Sequence, residues 1–305
     1  MKWFGATSAD LKRMPYSFSR LLAETGKSIA KPVFDPPALT PLRKPVAEST
    51  IGLFVSCGAQ LPDDPPLRET EDISFRLLHR DTPLEQLIVS HQTLVRKWAL
   101  EDLNVAYPID RLKELEREGA FRRLAHTSVS MVGSIERYTE LIEQTVPAIK
   151  AIYDAQGVDL VLLLPFCPAC HRATGIIARA LEARGLPTVS TSVLWEMSAA
   201  VKPPRTCFLD FPLGCPAGRP FAAEQQRDIL RRVFALAPSF DANAWEMKTL
   251  PFAWSADGDR GWEGITDDLY RNGGLAITAA HMAAHAAVGE SLVGKERAFA
   301  VKCNC

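Results

Sequence analysis

One stretch limits the fold more than any other: Val158–Gly185, VDLVLLLPFCPACHRATGIIARALEARG. Its opening run, Val158 to Leu164, is rich in Val and Leu and too short to cross a bilayer. That is the pattern of a strand buried on both faces of a parallel sheet. Pro165 ends the run, and Phe166-Cys167-Pro168-Ala169-Cys170 follows as a tight turn. From His171 onward Ile176, Ile177, Ala180 and Leu181 recur at helical spacing, and Gly185 is placed to stop the helix. A C-x-x-C therefore sits where a strand gives way to a helix.

That position carries chemistry. The unpaired N–H groups and positive dipole end of a helix N-terminus favour an anion. A thiolate there is expected to have its pKa lowered below the free value of about 8.5. On this reading Cys167 is the attacking sulfur. Cys170, one turn later, resolves a mixed disulfide or joins a metal site, and Pro168 suits the first helical turn. The plainer alternative is an inert buried pair.

The rest of the chain alternates strands and helices. Strands are expected at Ile51–Val55, around Phe75–Leu78, at Leu87–Val89, Asn104–Tyr107, Pro187–Ser190 and Thr206–Leu209. Helices are expected from Pro108 to Glu118, from Glu136 to Gln156 with a kink at Pro147, from Val193 to Val201 and from Ala222 to Leu236. Ala125–Gly133 reads as loop, Phe240–Gly261 as irregular, and Gly264–Tyr270 and Ile277–Leu292 as helical. The fold class is α/β, with mostly parallel strands flanked by helices, as one sheet or as two Rossmann-like lobes. The expected division is a proline-rich extension over 1–48, a first α/β lobe over 49–156 and a second with the C-x-x-C over 157–240. A helical segment ending in a cysteine tail would then fill 241–305.

In an open α/β sheet, ligands lie at the carboxyl ends of strands. Cys57 with Gly58, His91, Cys167 and Cys215 all follow expected strands, and their meeting there is the argument for one site. His91 is a candidate acid or base because an imidazole titrates near neutrality. Arg111, at a helix start, is a candidate for a substrate carboxylate or for an ion pair. The cysteines Cys57, Cys167, Cys170 and Cys215 also admit zinc or an iron–sulfur cluster. Cys57 and Cys215 alone admit a two-cysteine racemase geometry, by analogy only. His281 and His285 share a helix face without the Glu of H-E-x-x-H, and Cys303-Asn304-Cys305 closes the chain.

Composition removes several classes. The net charge of -1 gives no electrostatic case for nucleic acid or an anionic membrane. No apolar run approaches the roughly 20 residues of a membrane helix. The polar start MKWFGATSADLKRM lacks a signal-peptide core, so a cytoplasmic location is expected. Seven cysteines then argue for catalysis or metal over a disulfide framework. There is no G-x-G-x-x-G after a strand, no P-loop and no G-x-S-x-G elbow.

Several motifs in one order resemble a known family. IGLFVSCGAQLPDDPPL, LIVSHQTL, DLNVAYPIDRLKELEREGAF, LAHTSVSMVG, LLLPFCPACH, GIIARALEARGLPTVS and VKPPRTCFLDFPLGCPAGRP run from about Thr50 to Pro220. Together they resemble the selenoprotein B family of glycine, sarcosine, betaine and D-proline reductases. The resemblance implies that Cys167 stands where those proteins carry selenocysteine, in a U-x-x-C arrangement. It further implies a sulfur analogue of their chemistry. There a selenolate attacks an activated α-carbon and displaces an amine, with a pyruvoyl-bearing partner subunit and a thiol reductant. The expected function is cysteine-dependent cleavage of a C–N or related C–X bond in a small amino-acid-like substrate, in a homo-oligomeric enzyme. Rival readings are thiol- or metal-assisted desulfuration, a cofactor-free racemase or isomerase, and a non-catalytic subunit of a reductase-like complex.

Overall fold

The computed structural model describes residues 34–273, together with Tyr16 and the paired two-residue strands Lys2–Trp3 and Ala6–Thr7. His281, His285, Cys303 and Cys305, the helix expected over 277–292 and most of the 1–48 extension lie outside the described residues.

The elements in chain order begin with β1 (Thr50–Val55), β2 (Ala59–Gln60), β3 (Arg76–His79) and β4 (Ile88–Val89). Next come α1 (Arg96–Glu101), α2 (Ile109–Arg117), β5 (Arg123–Leu124), β6 (Thr127–Ser130) and α3 (Val146–Ala155). They continue with β7 (Leu160–Leu164), α4 (Pro168–Glu182), β8 (Thr188–Ser192), α5 (Trp195–Val201) and β9 (Thr206–Phe208). Last are α6 (Ala223–Leu236), β10 (Met247–Thr249) and α7 (Trp262–Asp268).

The main sheet has the order β10-β9-β8-β7-β1-β6-β3, with β5 also paired to β1. Every pairing in it is parallel except β3 with β6 at one edge. β1 and β7 lie side by side from Ile51↔Leu160 to Val55↔Leu164, so the sheet runs unbroken across the expected 156/157 boundary.

The two central strands are buried along their length, and period-2 alternation divides their side chains between two layers. Ile51, Leu53, Leu160 and Leu162 pack with Leu112 and Leu115 of α2 and with Ile229 and Val233 of α6. Phe54, Val161 and Leu163 pack on the other face with Val146 and Ile149 of α3 and Ile176 and Leu181 of α4. Helices thus cover both faces, as an all-parallel core requires.

Three expectations need correction. Asn104–Tyr107 is not a strand: its first two residues lie in a 3-10 turn, Leu103–Val105, because the Asp102 side chain accepts the Asn104 N–H at 3.0 Å. The stretch read as loop over Ala125–Gly133 contains β6, whose Ser128 hydroxyl is satisfied by Tyr107 (2.8 Å) and by the Leu78 carbonyl (3.2 Å). The segment read as irregular over Phe240–Gly261 contributes β10. Just ahead of Pro147, where a kink is expected, the helix runs through a π-turn, Leu141–Thr145, before α3. Proline cannot donate to a carbonyl one turn back, and the wider turn accommodates that loss.

Candidate active site

Ser56, Gly133 and Cys167 follow the carboxyl ends of β1, β6 and β7, neighbouring strands of the sheet. Ser56 extends the pairing past β1: its N–H donates to the Leu164 carbonyl at 3.2 Å. Its hydroxyl then accepts the Phe166 N–H at 3.1 Å, which fixes the turn entering the C-x-x-C. Cys167 caps α4, and its sulfur accepts the Cys170 N–H at 3.2 Å. Pro168 holds the first helical position, where no donor is lost.

The two sulfurs lie 2.9 Å apart, with the Cys167 S–H donating to Cys170. Cys170 Sγ also lies 3.3 Å from His91 Nε2 and 3.4 Å from the Ser56 carbonyl. The other ring nitrogen of His91 faces Glu69 Oε1 at 3.3 Å. The result is a line of four groups, Glu69–His91–Cys170–Cys167. Cys170 is fully buried, His91 is 2% exposed and Cys167 5%, with the Phe166 ring 5.9 Å from the imidazole.

Burial opposes charge throughout this line, yet the contacts overcome it at two positions. At His91 the adjoining Cys170 and Glu69 raise the imidazole to about 9. At Cys170, against burial, the Cys167 hydrogen bond and the His91 charge bring the thiol well below its ordinary range. Burial and the neighbouring Cys170 push Cys167 up. These contacts favour an imidazolium at His91 and one negative charge held on the hydrogen-bonded Cys167–Cys170 pair. The helix-end argument put that charge at the start of the helix, and the His91 contact at 3.3 Å adds a second stabilising group beside the pair.

A second histidine supports the turn from below. His171 Nε2 accepts the Val193 N–H at 3.2 Å, so Nδ1 carries the proton and donates to the Cys167 carbonyl at 2.7 Å. Burial holds this imidazole neutral, at about 4. Two glycines let the walls close. Gly58, at φ +69, would bring a Cβ to 3.0 Å from the His91 backbone nitrogen, and its carbonyl accepts the Ser90 N–H at 2.9 Å. A Cβ on Gly133 would lie 2.8 Å from Cys170 Cα and 2.9 Å from its sulfur.

Of the residues singled out from sequence, the structure gathers His91, Cys167 and Cys170, with Gly58 supporting His91. Their donor atoms lie within 4.8 Å of one another, and neither Cys57 nor Cys215 joins that group. Cys57 bridges to Val132 in the adjoining loop; burial, with the Cys170 charge adding to it, pushes its thiol up to about 12. Cys215 is fully buried, and its nearest charges are Glu101, Asp102 and Lys97 around α1; burial first, then those carboxylates, keep it protonated. Arg111 pairs with Glu114 at 3.0 Å on its own helix. Sequence reasoning missed Glu69, Gly133 and Tyr270. Tyr270 is held protonated by burial and then by the charge on the neighbouring cysteine pair.

The chain is 30% identical over 198 residues to the D-proline reductase subunit gamma of Acetoanaerobium sticklandii, across 65% of this chain and 82% of that relative. It belongs to the selenoprotein B family of amino-acid reductases. Two further members of the family match at 25% identity. The glycine reductase complex component B subunit gamma of Carboxydothermus hydrogenoformans aligns over 66% of this chain and 47% of its own length. The sarcosine reductase complex component B subunit beta of Peptoclostridium acidaminophilum aligns over 61% and 44%. The chain thus spans less than half the length of these two relatives. No family model matches the chain, and no solved structure matches it. Among the described residues, no helix is long and apolar enough to cross a membrane.

Proposed function

We propose that this chain is a cysteine-dependent component of a reductase complex, cleaving a C–N or related C–X bond in a small amino-acid-like substrate. The observation that carries this reading is the line Glu69–His91–Cys170–Cys167, a dithiol with a charge-stabilising partner at a strand-to-helix junction. Its relatives are named as subunits of reductases acting on D-proline, glycine and sarcosine. A partner subunit that activates the amine through a carbonyl and an external dithiol are the co-reactants this reading requires.

The steps balance. Cys170 takes the proton from Cys167 across the 2.9 Å contact, and the Cys167 thiolate attacks the carbon bearing the amine. A C–S bond forms, the C–N bond breaks, and the nitrogen leaves with the electron pair and the His91 proton. Cys170 then gives its proton to His91 and attacks the Cys167 sulfur. The C–S bond breaks with its pair on carbon, which takes that proton from His91. The substrate has gained two electrons and two protons, and the pair has become a disulfide for the external dithiol to reduce.

The test is alkylation of the reduced chain at neutral pH, mapped by peptide mass spectrometry, followed by oxidation with a small disulfide. The expected result is preferential labelling of the Cys167–Cys170 pair over Cys57, Cys207 and Cys215, and a Cys167–Cys170 disulfide on oxidation. Equal, slow labelling of all cysteines and no such disulfide would remove the dithiol role and leave a non-catalytic subunit.

A further inference from the structure

The donors at this site converge as metal ligands do. Two sulfurs from the C-x-x-C and an imidazole nitrogen from a distant stretch of chain lie within 4.8 Å of one another. Behind the imidazole stands a carboxylate: Glu69 faces Nδ1 while Nε2 faces the sulfurs. Metal-bound histidines are oriented by just such a partner on the opposite nitrogen. His171 is excluded as a fourth ligand because both its nitrogens are committed to backbone groups.

We propose that Cys167, Cys170 and His91 form a three-ligand site for a soft divalent cation of the zinc class, and that its occupancy silences the dithiol. The binding half stands alone; the silencing half rests on the function proposed above. Cys2His with one open position is an established donor set for zinc. Tetrahedral zinc with Zn–S of ~2.3 Å and Zn–N of ~2.05 Å needs donors ~3.8 Å (S–S) and ~3.6 Å (S–N) apart. The observed separations are 2.9 Å and 3.3 Å, so the ion enters by parting the sulfurs. That movement falls on Cys167, the less buried of the two. The ion replaces the proton between the sulfurs, and with both sulfurs as ligands neither attacks carbon.

The experiment titrates the full chain, reduced with a phosphine, with Co2+ and then Zn2+, following the cobalt d–d and thiolate charge-transfer bands. Expected are one tetrahedral ion per chain, loss of the charge-transfer band in Cys167→Ser and Cys170→Ser, and 10- to 100-fold weaker binding in Glu69→Gln. Zn2+ should also protect Cys167 and Cys170 of the unaltered chain from alkylation, reversibly with a chelator, a readout independent of whether the variants fold. A Cys303→Ser/Cys305→Ser chain should bind as before. Absence of binding, or binding that survives Cys167→Ser and disappears with the tail variant, overturns the site. A Cys167 that labels fast and binds no ion overturns the metal proposal alone. An ion bound by a pair that never forms a disulfide overturns the dithiol reading and its silencing, while the site itself stands.

Discussion

The charge on the dithiol is held by the hydrogen bond between its sulfurs and by one imidazole, and the imidazole is supported in turn by the pair and by one carboxylate. His91 lies 3.3 Å from the sulfur, in a pocket where water cannot substitute for it. His91→Ala leaves only the Cys167 hydrogen bond to set against burial, which favours the neutral thiol. Since one pKa unit is a tenfold change in thiolate, labelling of Cys167 and Cys170 at neutral pH should slow by about tenfold or more. Glu69→Gln should slow it less, because it only weakens the imidazolium. Gly133 acts by size. A methyl there meets the backbone of Cys170, which cannot swing aside as a side-chain tip can. Gly133→Ala should cost about 1–3 kcal/mol in urea unfolding, as overpacking does, and should slow labelling of the pair more than that of Cys207. Glu69 could not be read from the sequence, since LPDDPPLRETED offers several carboxylates of similar local appearance. Only the folded loop shows which one reaches the histidine.

Helix α4 was legible from end to end because each of its signals is local: an apolar strand before it, proline at its first position and glycine beyond its end. What secures its far end was not legible, because the partners are distant in sequence. Glu182, fully buried, accepts the Thr188 N–H at 2.7 Å and the Thr40 N–H at 2.6 Å, and it pairs with Arg205. Arg205 in turn donates to the Thr40 carbonyl at 2.6 Å. Arg205→Met leaves a carboxylate stranded in the interior, where a broken buried pair costs about 3–5 kcal/mol. Urea unfolding at neutral pH should report that loss. Arg205→Met/Glu182→Gln should recover part of it, because no uncompensated charge remains. The 3-10 turn at Leu103–Val105 went unread for the same kind of reason. Val105, Ala106 and Tyr107 are buried together rather than in alternation, and the Asp102 and Asn104 side chains bend the chain.

At the scale of the whole molecule, the parallel α/β sheet and the place of Cys167 beyond the carboxyl end of β7 followed from the order of strand and helix signals, whereas His91 reaches the C-x-x-C from beyond β4, which pairs with β2 outside the main sheet. The departure of Cys215 did not follow from that order, because following a strand places a residue at the right edge without placing it beside a given neighbour. The same architecture predicts how the molecule yields to acid. Glu116 on α2 accepts the Leu124 N–H of β5 at 2.8 Å and pairs with Arg80 just beyond β3, joining helix to sheet. The Arg80 hydrogen bond, ahead of the opposing cost of burial, holds its carboxyl below the usual range. Asp72 is partly desolvated, but its bonds to the Ser74 hydroxyl and to the Arg68 and Ser74 N–H groups outweigh that and hold it low as well. These bonds order the loop that carries Glu69. A carboxylate with a depressed folded-state pKa stabilises fully above its unfolded pKa and loses that contribution as pH falls through the folded value. Stability should therefore fall on acidification, while Glu116→Gln and Asp72→Asn should be less stable near neutrality and respond more shallowly. Urea midpoints taken from neutral pH downward should converge on the wild type once both carboxyls are protonated. Parallel curves across the whole range would show that these carboxylates do not stabilise the fold. The Asp72→Asn chain should also lose thiol reactivity at neutral pH, because a loosened loop no longer presents Glu69 to His91.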